Sequence, residues 1–184
     1  FLSDRHETDT HIGADDVVIL PAFGVTIEEL KRYDGSGCTL VDTTCGSVLN
    51  VWKNVKRYAL DGLTSVIHGK YWPEETQATA SQAVAVNGGH YLVVLDQGEA
   101  ELACDYIRSG GDRAAFLERF GQAVSPGFDP DLHLQRVGCA YQTTMLSSES
   151  LHIGNMFREA MRARNGDAEL PDRFRAFDTI CSST

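Results

Sequence analysis

The sequence predicts an α/β protein built from repeated units with mostly parallel sheets and helices on both faces. Three observations predict it. Short apolar runs at 17–20, 39–41, 64–67, 91–95 and 137–140 are strand-length and rich in Val, Ile and Leu, as strands covered on both faces are. Between them lie amphipathic stretches of helical period, and strand–helix alternation is the signature of parallel sheets. The residues richest in chemistry stand directly after the apolar runs, at the sheet edge where open α/β folds gather their ligands. With 184 residues, 42% hydrophobic and 23% charged, there is material for one large or two small units.

Taken in order, residues 1–13 are polar, without periodicity, and read as loop. The run 17–20 reads as a buried parallel strand ending at Pro21-Ala22-Phe23-Gly24. Thr26 and Glu29 have the spacing of a capping box for a helix to about Arg32. The strand at 39–41 leads into Asp42-Thr43-Thr44-Cys45, and Val48, Val51, Trp52, Val55 and Ala59 then recur at helical spacing, with Lys53, Lys56 and Arg57 opposite. The strand at 64–67 runs into His68-Gly69-Lys70-Tyr71-Trp72-Pro73-Glu74-Glu75-Thr76, read as a strand-end loop. After the strand at 91–95 come helices at about 99–108 and 113–123, separated by Gly110-Gly111; Pro126 to Pro130 is turn chemistry. The strand at 137–140 delivers Tyr141-Gln142-Thr143-Thr144. Ser147 or Ser148 caps a last helix, whose Met156 and Met161 fill core and which Asn165-Gly166 stops.

The motif at 42–45 returns as Asp178-Thr179-Ile180-Cys181. Each copy follows a short apolar run, so Cys45 stands at a strand end beside a helix N-terminus, which favours an anion such as a thiolate. Two cysteines delivered by one device suit a shared soft metal or cluster; the competing reading is a pair of buried structural thiols. Five cysteines, an odd count spread through strand and helix patterns, are no disulfide framework and point to a reducing compartment. A formal charge of -10 and a pI near 4.9 argue against a nucleic-acid binder. No apolar run is long enough to span a bilayer, and no stretch of these 184 residues reads as a signal sequence. The chain begins at Phe1 and stops three residues past the second motif, which is expected of an internal fragment of a longer protein.

The two Asp-Thr-x-Cys motifs, His68-Gly69-Lys70-Tyr71, Glu74-Glu75-Thr76 with Ala78-Thr79-Ala80-Ser81, and Gln142-Thr143-Thr144-Met145-Leu146 together resemble the 4-hydroxy-3-methylbut-2-enyl diphosphate reductase family. Pro21-Ala22-Phe23-Gly24 and Ser125 to Pro130 are similar to its plastid-type branch. The resemblance runs from about Asp15 to Cys181. It implies a trefoil of three α/β units around a 4Fe-4S cluster held by three cysteines, of which Cys45 and Cys181 match the second and third. Residues 1–44 would then close the first unit, 45–180 form the second, and 181–184 open the third. The implied enzyme is a soluble oxidoreductase of non-mevalonate isoprenoid biosynthesis, cytoplasmic or in the plastid stroma. It removes the allylic hydroxyl of its diphosphate substrate, giving isopentenyl and dimethylallyl diphosphate, with electrons from a ferredoxin or flavodoxin.

By the same resemblance Glu75 matches the family's acid and Thr143 its hydroxyl partner. Hydroxide is a poor leaving group unless protonated, so the chemistry needs such an acid. His68 and Lys70 are within reach of a phosphate in this reading, although strand-end histidines are commonly satisfied structurally. Pro73 stands where the family has a substrate-binding histidine, Gly46-Ser47 replaces a Pro-aromatic pair, and Tyr141 replaces an Asn. Two further readings stay open: a divergent non-catalytic paralogue that keeps the fold as a binding or regulatory module, and a redox-inert α/β ligand-binding domain.

Overall fold

A computed structural model describes residues 12–177. Two parallel sheets organise them. The first is a pair, β1 (Val17–Leu20) beside β2 (Thr39–Asp42), connected through α1 (Ile27–Gly35). The second holds β3 (Thr64–His68), β4 (Tyr91–Val94), β5 (Val137–Tyr141) and β6 (Phe174–Ala176) in the order β4-β3-β5-β6, all parallel. The intervening helices are α2 (Gly46–Leu60), α3 (Glu74–Val84), α4 (Gln97–Ser109), α5 (Arg113–Phe120), α6 (Pro130–His133), α7 (Ser147–Asn165) and α8 (Leu170–Arg173). The α/β class and the parallel pairing expected from the sequence are therefore present.

Strand parity sorts the second sheet's side chains. Val66, His68, Leu92, Val94, Cys139 and Tyr141 face α4 and α7, where Ile107, Ile153, Phe157 and Met161 complete the main core. Each such fully buried side chain contributes roughly 1.5–3 kcal/mol of hydrophobic stabilisation. Ser65, Ile67, Gly138 and Ala140 face α2 and α3. Gly138 is required there: a Cβ would stand 2.6 Å from the Tyr58 ring of α2. Tyr58, fully buried, donates from its hydroxyl to the Cys139 carbonyl at 2.9 Å and stacks on Phe177.

Several elements differ from the sequence expectation. The strand at 17–20 is parallel but not buried: Val17 and Ile19 are 63% and 66% exposed, only Leu20 of the four is buried, and α1, which joins β1 to β2, buries none of its own residues. Residues 74–84 form a helix, where the sequence reading placed Glu75 in a loop; the stretch is Ala- and Thr-rich and nearly uniformly buried, so it shows no amphipathic stripe. α5 ends at Phe120 rather than 123, since Gly121 caps it and the chain turns so that Ala123 N–H donates back to Phe120. α7 is preceded by Leu146 at its cap, not by Ser147 or Ser148, and has no side-chain cap bond. Thr26 and Glu29 do form both halves of the capping box.

At the edge opposite the strand C-termini, His90 and His133 stack with ring centroids 3.6 Å apart. His90 Nδ1 lies 2.8 Å from the Ser125 hydroxyl, and Asp129 N–H donates to His133 Nδ1 at 2.8 Å. Burial holds both imidazoles below the ordinary 6.5, with mutual repulsion adding to the effect on His133. Burial does the same to His68, against an opposing pull from Glu149. The folded state thus binds fewer protons than the unfolded chain once the pH falls below 6.5. Stability is expected to be full above about pH 6.5 and to decline as the pH drops through the lowered folded values. Urea midpoints at pH 7.5 and 5.5 measure this, and His133→Asn, whose carbonyl still accepts from Asp129, should flatten the decline.

Candidate functional site

The strand order of the second sheet reverses between β3 and β5: the chain leaves β3 through α3 toward β4, and leaves β5 through α7 toward β6 on the other side. The C-terminal ends of two such neighbours open a crevice, the usual ligand position in doubly wound sheets. The loop after β3 and the loop after β5 both enter it.

Cys45 reaches the crevice from the first sheet. Its approach is set by the local turn: Asp42 Oδ1 accepts from Thr44 N–H at 2.9 Å and Thr44 Oγ1 at 2.6 Å, which holds the Asp42 carboxyl below its usual range. Cys45 N–H donates to Ala22 at 2.8 Å. Cys45 then caps α2 without a side-chain cap bond, and its side chain is exposed. The buried structural thiol reading therefore fails for Cys45. It fits Cys104 and Cys139, which are buried with their thiols pushed up by burial, Cys104 to about 12. Cys38 is half-buried beside the Tyr33 carbonyl. Cys181 lies outside the described residues, as do Asp178, Thr179 and Ile180; among the described residues no cluster of three or more His, Cys, Asp or Glu could hold a metal ion.

Glu75 sits in the first turn of α3, 6% exposed. Its Oε1 accepts from Thr143 N–H at 2.7 Å and Thr143 Oγ1 at 2.8 Å, while Oε2 has one longer donor, Thr144 Oγ1 at 3.2 Å. A cavity of about 350 Å³ brings Cys45, Glu75, Thr143 and Thr144 together with Phe23, Val48 and Pro73. No Lys, Arg or His stands among the described residues lining it. Pro73 occupies the N-cap of α3, where a missing N–H costs nothing, and its carbonyl accepts from Thr76 and Gln77.

Of the other residues singled out by sequence, His68 is not brought to this cavity. Strand parity turns it to the α7 face, where Nδ1 meets Ser150 Oγ at 2.9 Å and the side chain is 1% exposed. Lys70 is exposed and does not line the cavity. Sequence reasoning missed Gln142 and Thr76, which are buried behind the site, and Glu99, whose buried carboxylate takes Tyr71 Oη and Arg119 and so fastens the 69–73 loop to α4. Gly69 was the available signal: a Cβ there would stand 2.1 Å from Gln142 Oε1. Trp52 likewise links helices, donating to Thr79 Oγ1 at 3.2 Å while its ring covers Gly24, which has φ 80°.

Fold and crevice together define a parallel α/β protein that presents an open thiol and a threonine-bound glutamate at one sheet edge. The model of the LytB protein family matches residues 2–184, and the chain belongs to that family. A 4-hydroxy-3-methylbut-2-enyl diphosphate reductase of Synechococcus sp. (strain RCC307) is 53% identical over 173 residues, 94% of this chain and 41% of the relative. One from Gloeobacter violaceus is 51% identical, covering 94% and 40%. A solved structure of (E)-4-hydroxy-3-methyl-but-2-enyl diphosphate reductase, the terminal enzyme of the non-mevalonate pathway, aligns with a TM-score of 0.67 at 19% identity, over 98% of this chain and 49% of that one. The Plasmodium falciparum E-1-hydroxy-2-methyl-but-2-enyl-4-diphosphate reductase gives 0.57 at 15%, over 91% and 41%. The chain spans about two fifths of the length of its curated relatives. Among the described residues no helix is long and apolar enough to cross a membrane.

The exposures set an order of thiol reactivity. Iodoacetamide under native conditions is expected to modify Cys45 well before Cys104 and Cys139, which should label only after denaturation; peptide mass mapping over a time course checks this.

Proposed function

We propose that this chain is the central part of a 4-hydroxy-3-methylbut-2-enyl diphosphate reductase, which reductively removes the allylic hydroxyl of that substrate to give isopentenyl and dimethylallyl diphosphate. The observation that carries the proposal is the Glu75 carboxylate, bound by the backbone and hydroxyl of Thr143 and facing the cavity that Cys45 lines. The family assignment and the names of the relatives support it. In this reading residues 1–44 belong to the first of three α/β units in a trefoil, 45–180 to the second and 181–184 to the third; the two separate sheets support that division. Electrons come from a ferredoxin or flavodoxin, and the compartment is the cytoplasm or the plastid stroma.

The donors suit a 4Fe-4S cluster. Cys45 offers an exposed sulfur free of any capping bond at a helix N-terminus, and thiolates are the ligands such clusters take. Cys45, with Cys181, would hold it. When bound, the cluster supplies the electrons and a Lewis-acidic iron for the departing oxygen. The rest falls to the chain's own side chains. Glu75 is the proton donor to the hydroxyl. Its Oε1 is occupied by two donors, so the transferable proton sits on Oε2, whose contact with Thr144 is the longest of the three. Thr143 holds the carboxyl in place through its N–H and its hydroxyl, and that hydroxyl can exchange a proton with Oε1. In the complete, cluster-loaded protein Glu75→Gln should keep cluster absorbance and substrate affinity yet lose turnover by roughly a hundred- to ten-thousand-fold, since the amide keeps the shape without the proton. Near-normal steady-state turnover would remove Glu75 from the mechanism.

A second reading, the non-catalytic paralogue, draws on the absence of cations among the described residues lining the cavity, together with Pro73 at the family's histidine position. One histidine–diphosphate hydrogen bond contributes about 1.5–3 kcal/mol. If the reductase reading is right, Pro73→His in the complete protein should tighten substrate binding roughly tenfold by calorimetry and lower KM more than it changes kcat, because ground and transition states share the diphosphate contact. Absence of binding in both forms would leave the paralogue.

A further inference from the structure

Directly behind the Glu75–Thr143 contact, three segments meet in a closed ring of hydrogen bonds. Lys70 N–H donates to Gln142 Oε1 at 3.2 Å; Gln142 Nε2 donates to Thr76 Oγ1; Thr76 Oγ1 donates to the Lys70 carbonyl. Each group is used with its proper polarity, so the ring closes on Lys70 through one N–H of the Gln142 carboxamide. It is also dry: Gln142 is 4% exposed and Thr76 1%. In such surroundings successive bonds strengthen one another, and loss of one member leaves the others unsatisfied. The carboxamide can lie there only because residue 69 has no Cβ, which would fall 2.1 Å from Gln142 Oε1 and 2.2 Å from its carbonyl carbon.

The ring joins the residues adjacent to the two site groups. Thr76 follows Glu75 in the first turn of α3, and Gln142 precedes Thr143 at the end of β5. Both are tied to one residue, Lys70, through its N–H and its carbonyl, in the loop between β3 and α3. That loop is fastened independently at its next residue, where Tyr71 Oη donates to the buried Glu99, itself bound by Arg119 and by Leu95 N–H at 2.8 Å. The backbone adds Gln142 N–H to the His68 carbonyl at 3.1 Å. Main-chain bonds thus fix the loops at their strand ends, and the side-chain ring fixes how far α3 stands from the β5 loop.

We infer that Gln142 and Thr76 are positioning residues that set the Glu75–Thr143 contact, working through Lys70 as a shared crosspiece. The inference rests on the reductase reading only for its catalytic consequence; the geometric part stands without it. A loss of the ring lets the N-terminus of α3 shift relative to Thr143, and displacements of about 1 Å at reacting groups cost up to a hundred-fold in rate. Substrate binding, which the ring residues do not touch, is expected to change little.

The test uses Thr76→Val, which keeps shape and removes the hydroxyl, and Thr76→Ser, which restores it, both in the complete cluster-loaded protein and in the same protein without its cluster. In the cluster-free form, the Thr143 amide proton, donated to a carboxylate, is followed by nitrogen–proton NMR. The expected result is an upfield movement in Thr76→Val and a native position in Thr76→Ser. In the loaded form kcat should fall roughly ten- to a hundred-fold in Thr76→Val with KM within about twofold, and Thr76→Ser should recover. An unmoved Thr143 amide in a folded Thr76→Val overturns the inference. A displaced amide with unchanged kcat overturns its catalytic part. If the unaltered protein shows no turnover, the reductase reading fails by itself, and the amide shift still decides whether the ring positions the pair. Should Thr76→Val not fold, Gln142→Glu, which keeps the acceptor for Lys70 N–H and loses the donor to Thr76, is read in the same way.

Discussion

The placement of the site depends on one buried contact, the docking of Tyr58 on β5. A phenol that donates to a strand carbonyl, lies flat on Gly138 and stacks on Phe177 has one register available to it. Its burial pushes the phenol's ionisation well above the ordinary range, so the hydroxyl stays a donor at every physiological pH. α2 is one continuous helix over Gly46–Leu60, so fixing Tyr58 near one end constrains where Cys45 stands at the other. The thiol is thereby referred to the same strand, β5, that delivers Thr143. Two groups that come from different sheets thus share one reference.

The remaining member, Glu75, is referred to β5 by a different kind of interaction. Here polar groups act where the neighbouring helix contacts are apolar: a carboxylate takes a main-chain N–H and two hydroxyls, with a carboxamide and a threonine packed behind it. Buried polar networks are costly when incomplete and specific when complete. Hydrogen bonds weaken steeply away from their preferred geometry, so this arrangement ties α3 to one position more narrowly than non-directional apolar contact does. In the proposed reductase this division would let α2 place a cluster ligand while α3 aims a carboxyl.

Much of the frame was legible in the sequence. Val, Ile and Leu runs of strand length, the Thr26–Glu29 capping box and the glycine stops at 110 and 166 each carry a local physical signal, and each appears where expected. Glu75 and Thr143 were named from their motifs, and the structure sets them in hydrogen-bond contact. What was not legible depends on partners distant in sequence. α3 has no stripe because nearly every side is covered, and the exposure of Val17 and Ile19 depends on what lies across the sheet. The fate of His68 was decided by parity: the last residue of a strand faces one side or the other, and here that side is α7. The ring through Gln142 and Thr76 joins positions 66 residues apart, beyond the reach of any local pattern.

The half-open first sheet divides the chain into tiers of local stability. β3 and β5 are covered on both faces and flanked by strands on both sides, so their amides should open to solvent only when the whole unit unfolds. Among the described residues β1 and β2 have one partner each and leave Val17, Ile19 and Val41 exposed, so in this chain their amide hydrogens should exchange with deuterium through far cheaper partial openings. Cys45 stands at the junction of the two: it caps a helix anchored on β5, while the strand leading to it lies in the less protected sheet.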